Sequence, residues 1–261
     1  MPFIFTKNAE EPNEPYPSRS TTAGRIQKWL RKPQIWIAGL LICGLCGLTI
    51  CPLAYKAGKP FYEGITNYYT GNFRQAIDNY TEVIENSPDN WPAYYLRGLA
   101  YNGAHKYKDA IADFTKVIEL DPNNAGGYIG RGTAYALLSK SEEAISDLTK
   151  GIELDSTSAE AYNSRGWAYY GILQFDQAIE DYNKAIELDP NYFYAYLNRG
   201  KVYHRIFVSA YLNEETTYAN SKELQQTVKD FEQYLELAPE NDSERQRTLR
   251  LVEDLKLSLE P

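Results

Sequence analysis

The chain has 261 residues, 43% of them apolar, enough for one or two domains with a hydrophobic core. Its net charge of −8 is unevenly spread, with +4 on residues 1–56 and −12 on the remainder. So acidic a body is repelled by phosphate backbones, which argues against nucleic-acid binding. His105 and His204 are far apart, and Cys43, Cys46 and Cys51 all lie in one apolar run. No zinc, haem or disulfide pattern can be written from them, so no metal and no cofactor is expected.

Residues 1–32 are rich in proline, polar and basic residues, without apolar periodicity, and read as a disordered tail. Residues 33–55 read as a transmembrane helix. From Ile35 to Ala54 there is no charged residue, and as a helix this run spans about 30 Å, the depth of a bilayer's hydrocarbon core. Pro33 suits a first helical turn, and Trp36 and Tyr55 stand where interfacial aromatics belong. A cleaved signal peptide is the main rival, but the apolar run is long for one and no small-residue cleavage site follows. Arg19, Arg25, Lys28, Arg31 and Lys32 precede the span, whereas only Lys56 and Lys59 follow it closely. That bias places the N-terminus in the cytosol and the large C-terminal part across the membrane.

From residue 57 the sequence repeats every 34 residues, in units 57–90, 91–124, 125–158, 159–192 and 193–241. The fifth is interrupted by an insertion near 206–220. Each unit holds two amphipathic stretches. Tyr94, Gly98 and Tyr101 share one helical face in the first, and Ala110, Phe114 and Val117 share one in the second. A polar turn separates the two, and Asp-Pro-Asn-Asn or a relative closes the unit. Two short helices cannot bury their apolar faces alone, but stacked pairs can, which predicts an α-solenoid.

The pattern resembles the tetratricopeptide repeat (TPR). The eighth position of the units is Gly64, Gly98, Gly132, Gly166 and Gly200; the twentieth is Ala76, Ala110, Ala144 and Ala178; Pro88, Pro122, Pro190 and Pro239 close four units. Ser156 and Thr227 depart from it. The fold class implied is all-α: five helix–turn–helix repeats over 57–241 and a capping helix over 242–261, preceded by one transmembrane helix. Position seven departs from the family's leucine, being Arg97, Arg131, Arg165 and Arg199, with Asp113, Asp147, Asp181 and Asp230 on the second helices. In the first unit both change together, to Glu63 and Asn79. An Arg–Asp bridge within each unit is therefore expected. The cap is expected to pack through Leu249, Val252, Leu255 and Leu257.

The family resemblance implies a concave groove lined by one face of the first helices. That face carries Phe61, Ile65 and Tyr68; Tyr95, Leu99 and Asn102; Ile129, Thr133 and Ala136; Asn163, Trp167 and Tyr170; and Leu197, Lys201 and His204. Arg205 joins Lys201 and His204 to make the far end basic. Members that clamp a C-terminal carboxylate use a lysine and an asparagine at set positions of this face, and neither stands there here. The resemblance implies a scaffold or assembly factor that takes an apolar or amphipathic protein segment, held at the bilayer through residues 35–54. Single-span bacterial members of similar layout help build membrane complexes. The alternatives are a self-associating oligomer, with the oligomeric state open, and a membrane-tethered enzyme, for which the chain offers no nucleophile–base pair or phosphate loop.

Overall fold

The computed structural model describes residues 52–212 and 222–259. The expected tail lies outside the described residues, and so does the expected membrane span except for its last four residues. Among the described residues there are only helices, and none is long and apolar enough to cross a membrane.

Among the described residues eleven helices follow one another: α1 Pro52–Tyr69, α2 Phe73–Asn86, α3 Trp91–Gly103, α4 Tyr107–Leu120, α5 Ala125–Leu137, α6 Ser141–Leu154, α7 Ala159–Gly171, α8 Phe175–Leu188, α9 Phe193–Leu212, α10 Lys222–Leu237 and α11 Arg245–Leu259. Odd-numbered helices up to α9 are the first helices of the expected units, and even-numbered ones up to α10 are the second. The chain divides into two compact units, one through Asp109 and the other from Ala110 onward.

Side chains cap the joints. Asn90, Asn124 and Ser158 each accept a hydrogen bond from the backbone N–H three residues on, starting α3, α5 and α7. Asp155 and Asp189 accept from the N–H two residues on, which folds the turn before the next first helix. Between the helices of a unit the chain passes through a left-handed residue: Gly71 (φ 80°), His105 (58°), Ser139 (57°) and Leu173 (62°). Only the first is the residue type for which that conformation is free of cost.

In the first compact unit α1 packs on α2, and α2 on α3. The helices approach closely because Gly64 has no side chain. A Cβ there would lie 2.7 Å from the Tyr80 ring. Val83, Ile84 and Ala93 form the core, with Phe61 and Tyr94 against it. Glu63, where later units have arginine, pairs with Lys59 at 3.4 Å, and Asn79 accepts from Asn67 at 2.9 Å. The paired departure thus removes the ion pair and replaces it with a neutral bond. α1 runs unbroken through the expected junction at residues 55–57, so no hinge separates the end of the apolar run from the first repeat helix.

In the second compact unit each helix packs on the next from α5 to α11, and first helices also touch, α5 on α7 and α7 on α9. This nearest-neighbour stacking is how short pairs bury their apolar sides. The same glycine device recurs: a Cβ on Gly132 would meet Leu148, one on Gly166 would meet Tyr182, and one on Gly200 would meet Phe231.

The expected ion pairs form here. Arg131 binds Asp147 through two parallel bonds of 2.7 and 2.9 Å, Arg165 binds Asp181 through two of 2.8 Å, and Arg199 binds Asp230 through 2.8 and 2.6 Å. Each arginine does more than expected, because its remaining nitrogen reaches the second helix of the preceding unit. Arg131 donates to Thr115, Arg165 to Thr149 (both 3.2 Å) and Arg199 to Asn183. In the first compact unit Arg97 likewise donates to Thr81 at 2.9 Å. Tyrosines one turn away stack on these guanidiniums, Tyr162 on Arg165 at 5.6 Å for example.

The insertion begins as helix: residues 206–212 lengthen α9 to 20 residues, against 13 in α7, with Phe207 buried and its ring 6.2 Å from Tyr211. One expectation needs correction. In α11 the packed stripe is Thr248, Val252 and Leu255, at i, i+4 and i+7. Leu249 and Leu257 fall outside that arc and are 47% and 63% exposed.

Candidate protein-binding faces

In the first compact unit the face of α1 and α3 is largely aromatic. Phe61 meets the buried Tyr80 edge-on at 6.0 Å, and Tyr68 meets Phe73 at 5.7 Å, so both rings are half committed to the fold. Ile65 and Tyr95 are half-buried, while Leu99 is 5% exposed. The side-chain oxygen of Asn102 is buried with no hydrogen-bond partner among the described residues.

In the second compact unit the first-helix face divides into packing residues and open residues. Ile129, Thr133, Ala136 and Leu197 are buried, and Thr133 donates to Ser164 at 3.2 Å across α5 and α7. Asn163, expected on the groove surface, is 0% exposed and accepts from Asn198 at 3.1 Å. Its amide sits in the α7–α9 contact, because a residue one turn before Trp167 on this helix points between neighbouring first helices rather than out.

What stays open is a cluster of Trp167, Tyr170 and Arg205. The Trp167 and Tyr170 rings lie 5.5 Å apart, Tyr170 leans on Phe175 at 6.0 Å, and the Arg205 guanidinium stands 5.6 Å above the Tyr170 ring. Trp167 and Tyr170 are half-buried, packed at the edge of the core, and Arg205 is exposed. Such a surface offers flat apolar area with one cation at its margin, suited to an apolar side chain flanked by a polar one.

Lys201 does not contribute to a basic end. It pairs with Glu244, just before α11, at 3.3 Å, and both side chains are mostly covered. Burial pulls the Lys201 ammonium below its ordinary value, against the opposing pull of Glu244. His204 is also held below its ordinary value by burial, and it lines a cleft of about 580 Å³ shared with Ser243, Gln246, Arg247, Arg250 and Asp254 of the C-terminal segment. The basic end of this face is therefore built from α11. Sequence reading missed Arg247 and Arg250 because it treated the cap only as an apolar stripe. Their spacing of three on the helix was the available signal.

The start of α11 is pinned by Asp242, which accepts from Tyr194 at 3.1 Å, from Tyr234 and from the N–H of Glu244. Arg245 donates to the carbonyls of Leu235 and Ala238, satisfying the end of α10. No group of three or more His, Cys, Asp or Glu residues suited to a metal occurs among the described residues.

Sequence models described as "Tetratricopeptide repeat" match residues 91–124 and 125–158, and one described as "TPR repeat" matches 174–206. No curated protein matches the chain significantly. Among solved structures, a crystal structure of MamA is 28% identical, with 66% of this chain and 92% of that chain covered and a TM-score of 0.51. A second MamA crystal structure is 26% identical, covering 70% and 92%, with a TM-score of 0.52. TTC0263, described as a thermophilic TPR protein in Thermus thermophilus, shares the fold at 16% identity, covering 77% and 99%, with a TM-score of 0.61.

Proposed function

The chain belongs to the tetratricopeptide-repeat family, whose members mediate protein–protein interaction, and from that premise we propose that it is a scaffold binding an apolar or amphipathic protein segment on its first-helix faces. The observation that carries this reading is the cluster of Trp167, Tyr170 and Arg205 on α7 and α9, half-open aromatic area beside an exposed cation. Stacked pairs present such faces by construction, since the opposite side of each first helix is spent on its partner helix. Aromatic and arginine side chains are also the ones that dominate binding energy at protein interfaces. In the first compact unit, Tyr68 and Tyr95 provide a separate aromatic face.

The uninterrupted apolar run at residues 35–54 supports a bilayer anchor, with the N-terminus cytosolic and the repeats on the other side. Confinement to a surface raises the effective concentration of partners held in the same membrane, which suits an assembly factor. A reporter fused after Pro261 should be active only outside the cytosol; activity confined to the cytosol refutes the orientation. For binding, Trp167→Glu should strip off most proteins crosslinked to the full chain in intact membranes. Retention of every partner by that variant, with its helix content unchanged, means that this face is not the site.

A further inference from the structure

Resting on the reading that the α7–α9 face takes a protein segment, we propose that the cleft between α9 and α11 receives acidic side chains of that same segment. The repeats as a whole are acidic, with −12 on the residues after Lys56, yet this cleft gathers Arg247 and Arg250 on one side and His204 on the other. Nearby cations are already engaged: Lys201 holds Glu244, and Arg245 holds two carbonyls at the end of α10. Arg247 and Arg250, one turn apart, face the cleft instead, with Asp254 one further turn along. Ser243 and Gln246 add neutral donors near the start of α11, the end of a helix where negative charge is favoured.

Charge and shape together select the ligand. Two guanidinium forks one turn apart match carboxylates geometrically, and bonds between such ions are about twice as strong as neutral ones. The cleft and the aromatic face share α9, where His204 lines the cleft and the next residue, Arg205, covers Tyr170. A segment whose apolar residues rest on Trp167 and Tyr170 thus carries its next residues toward Arg247 and Arg250. Acidic side chains at that point replace hydration with paired charge, in a protein whose remaining surface repels them.

The test uses the full chain and three probes: an amidated tri-glutamate peptide, an amidated tri-glutamine peptide and inorganic phosphate. Arginine Nε–Hε and histidine ring resonances are followed by NMR, with His105, the other histidine, as an internal control. Tri-glutamate should shift Arg247, Arg250 and His204 saturably and leave His105 in place, while tri-glutamine should shift none of them. Arg247→Gln with Arg250→Gln should weaken the response at His204 about tenfold, as expected for loss of charge-assisted bonds. The proposal fails if tri-glutamate gives no saturable shift, or if the double variant responds like the parent. It also fails if phosphate alone reproduces the response at equal affinity, since the cleft is then a small-anion site. Trp167→Glu lies outside the cleft, so a variant that keeps every crosslinked partner and an intact glutamate response defeats the first reading alone.

Discussion

Arg165 and Asp181 meet through two parallel 2.8 Å hydrogen bonds, and the third arm of the same guanidinium reaches Thr149 in the preceding unit. Both charged side chains are largely covered, 18% and 7% exposed. Removing either strands a buried charge, which costs about 3 kcal/mol, whereas removing both leaves no orphan. Arg165→Met and Asp181→Leu should therefore each destabilise strongly, and the double variant by much less than the sum. Equilibrium denaturation of the four proteins measures the coupling. Additive costs would show that the two groups do not act as a pair.

Gly132 allows α5 to lie against α6. A Cβ there would come within 2.7 Å of Leu148 Cγ, 3.1 Å of the Leu148 nitrogen and 3.2 Å of the Ala144 oxygen. Two of those atoms are backbone, so the helices must part. Gly132→Ala is expected to cost about 2 kcal/mol, the usual scale for overpacking. Adding Leu148→Ala relieves only the side-chain part, so the double variant should fall short of full rescue. Thermal midpoints followed by circular dichroism report both.

Leu173 holds a left-handed conformation at φ 62° while its side chain is 56% exposed. It carries the backbone strain with little packing in return. Leu173→Gly should raise stability by about 1 kcal/mol, the approximate cost of that conformation for a residue with a Cβ. Unfolding midpoints decide, and a drop in midpoint would mean that the leucine's contacts outweigh its strain.

Burial holds the His204 imidazole below its ordinary 6.5, with Arg247 and Arg250 facing it from α11 and Asp254 as the acid of the cleft. The unfolded chain therefore takes up a proton in a range where the folded chain resists it. In that range the unfolded state binds more protons, so stability falls as pH drops through the unfolded value toward the folded one. Above that window His204 contributes nothing. His204→Gln should flatten the difference in denaturation midpoint between about pH 7.5 and about pH 5.5, relative to the parent. An unchanged slope would assign the acid sensitivity elsewhere.

Much of the fold could be read from residues alone because the same types recur at the same register. Gly64, Gly132, Gly166 and Gly200 mark the close approach, and the Arg–Asp pairs follow from their shared spacing. The Thr115 and Thr149 partners escaped notice because the bond crosses from one unit to the next, and a unit inspected alone does not contain it. The lengthened α9 was obscured where the pattern breaks, since nothing periodic distinguishes extra helix from loop there. For the candidate faces, periodicity identified the side but not the depth. Asn163 and Trp167 share it, yet one lies sealed between helices and the other is half-open. Lys201 looked like a free cation because Glu244 stands more than forty residues later in the chain.

The arginine fork has a consequence for how such arrays can be cut and rejoined. Each guanidinium belongs to three helices, two of its own unit and the last one of the unit before. A graft bounded at the 34-residue period carries its carboxylate along but leaves the hydroxyl behind. The portable cassette is therefore staggered, opening on a second helix and closing on the following pair, so that the fork travels with all its acceptors. Chimeras joined on that offset frame should keep the native pitch where those joined at unit boundaries lose it.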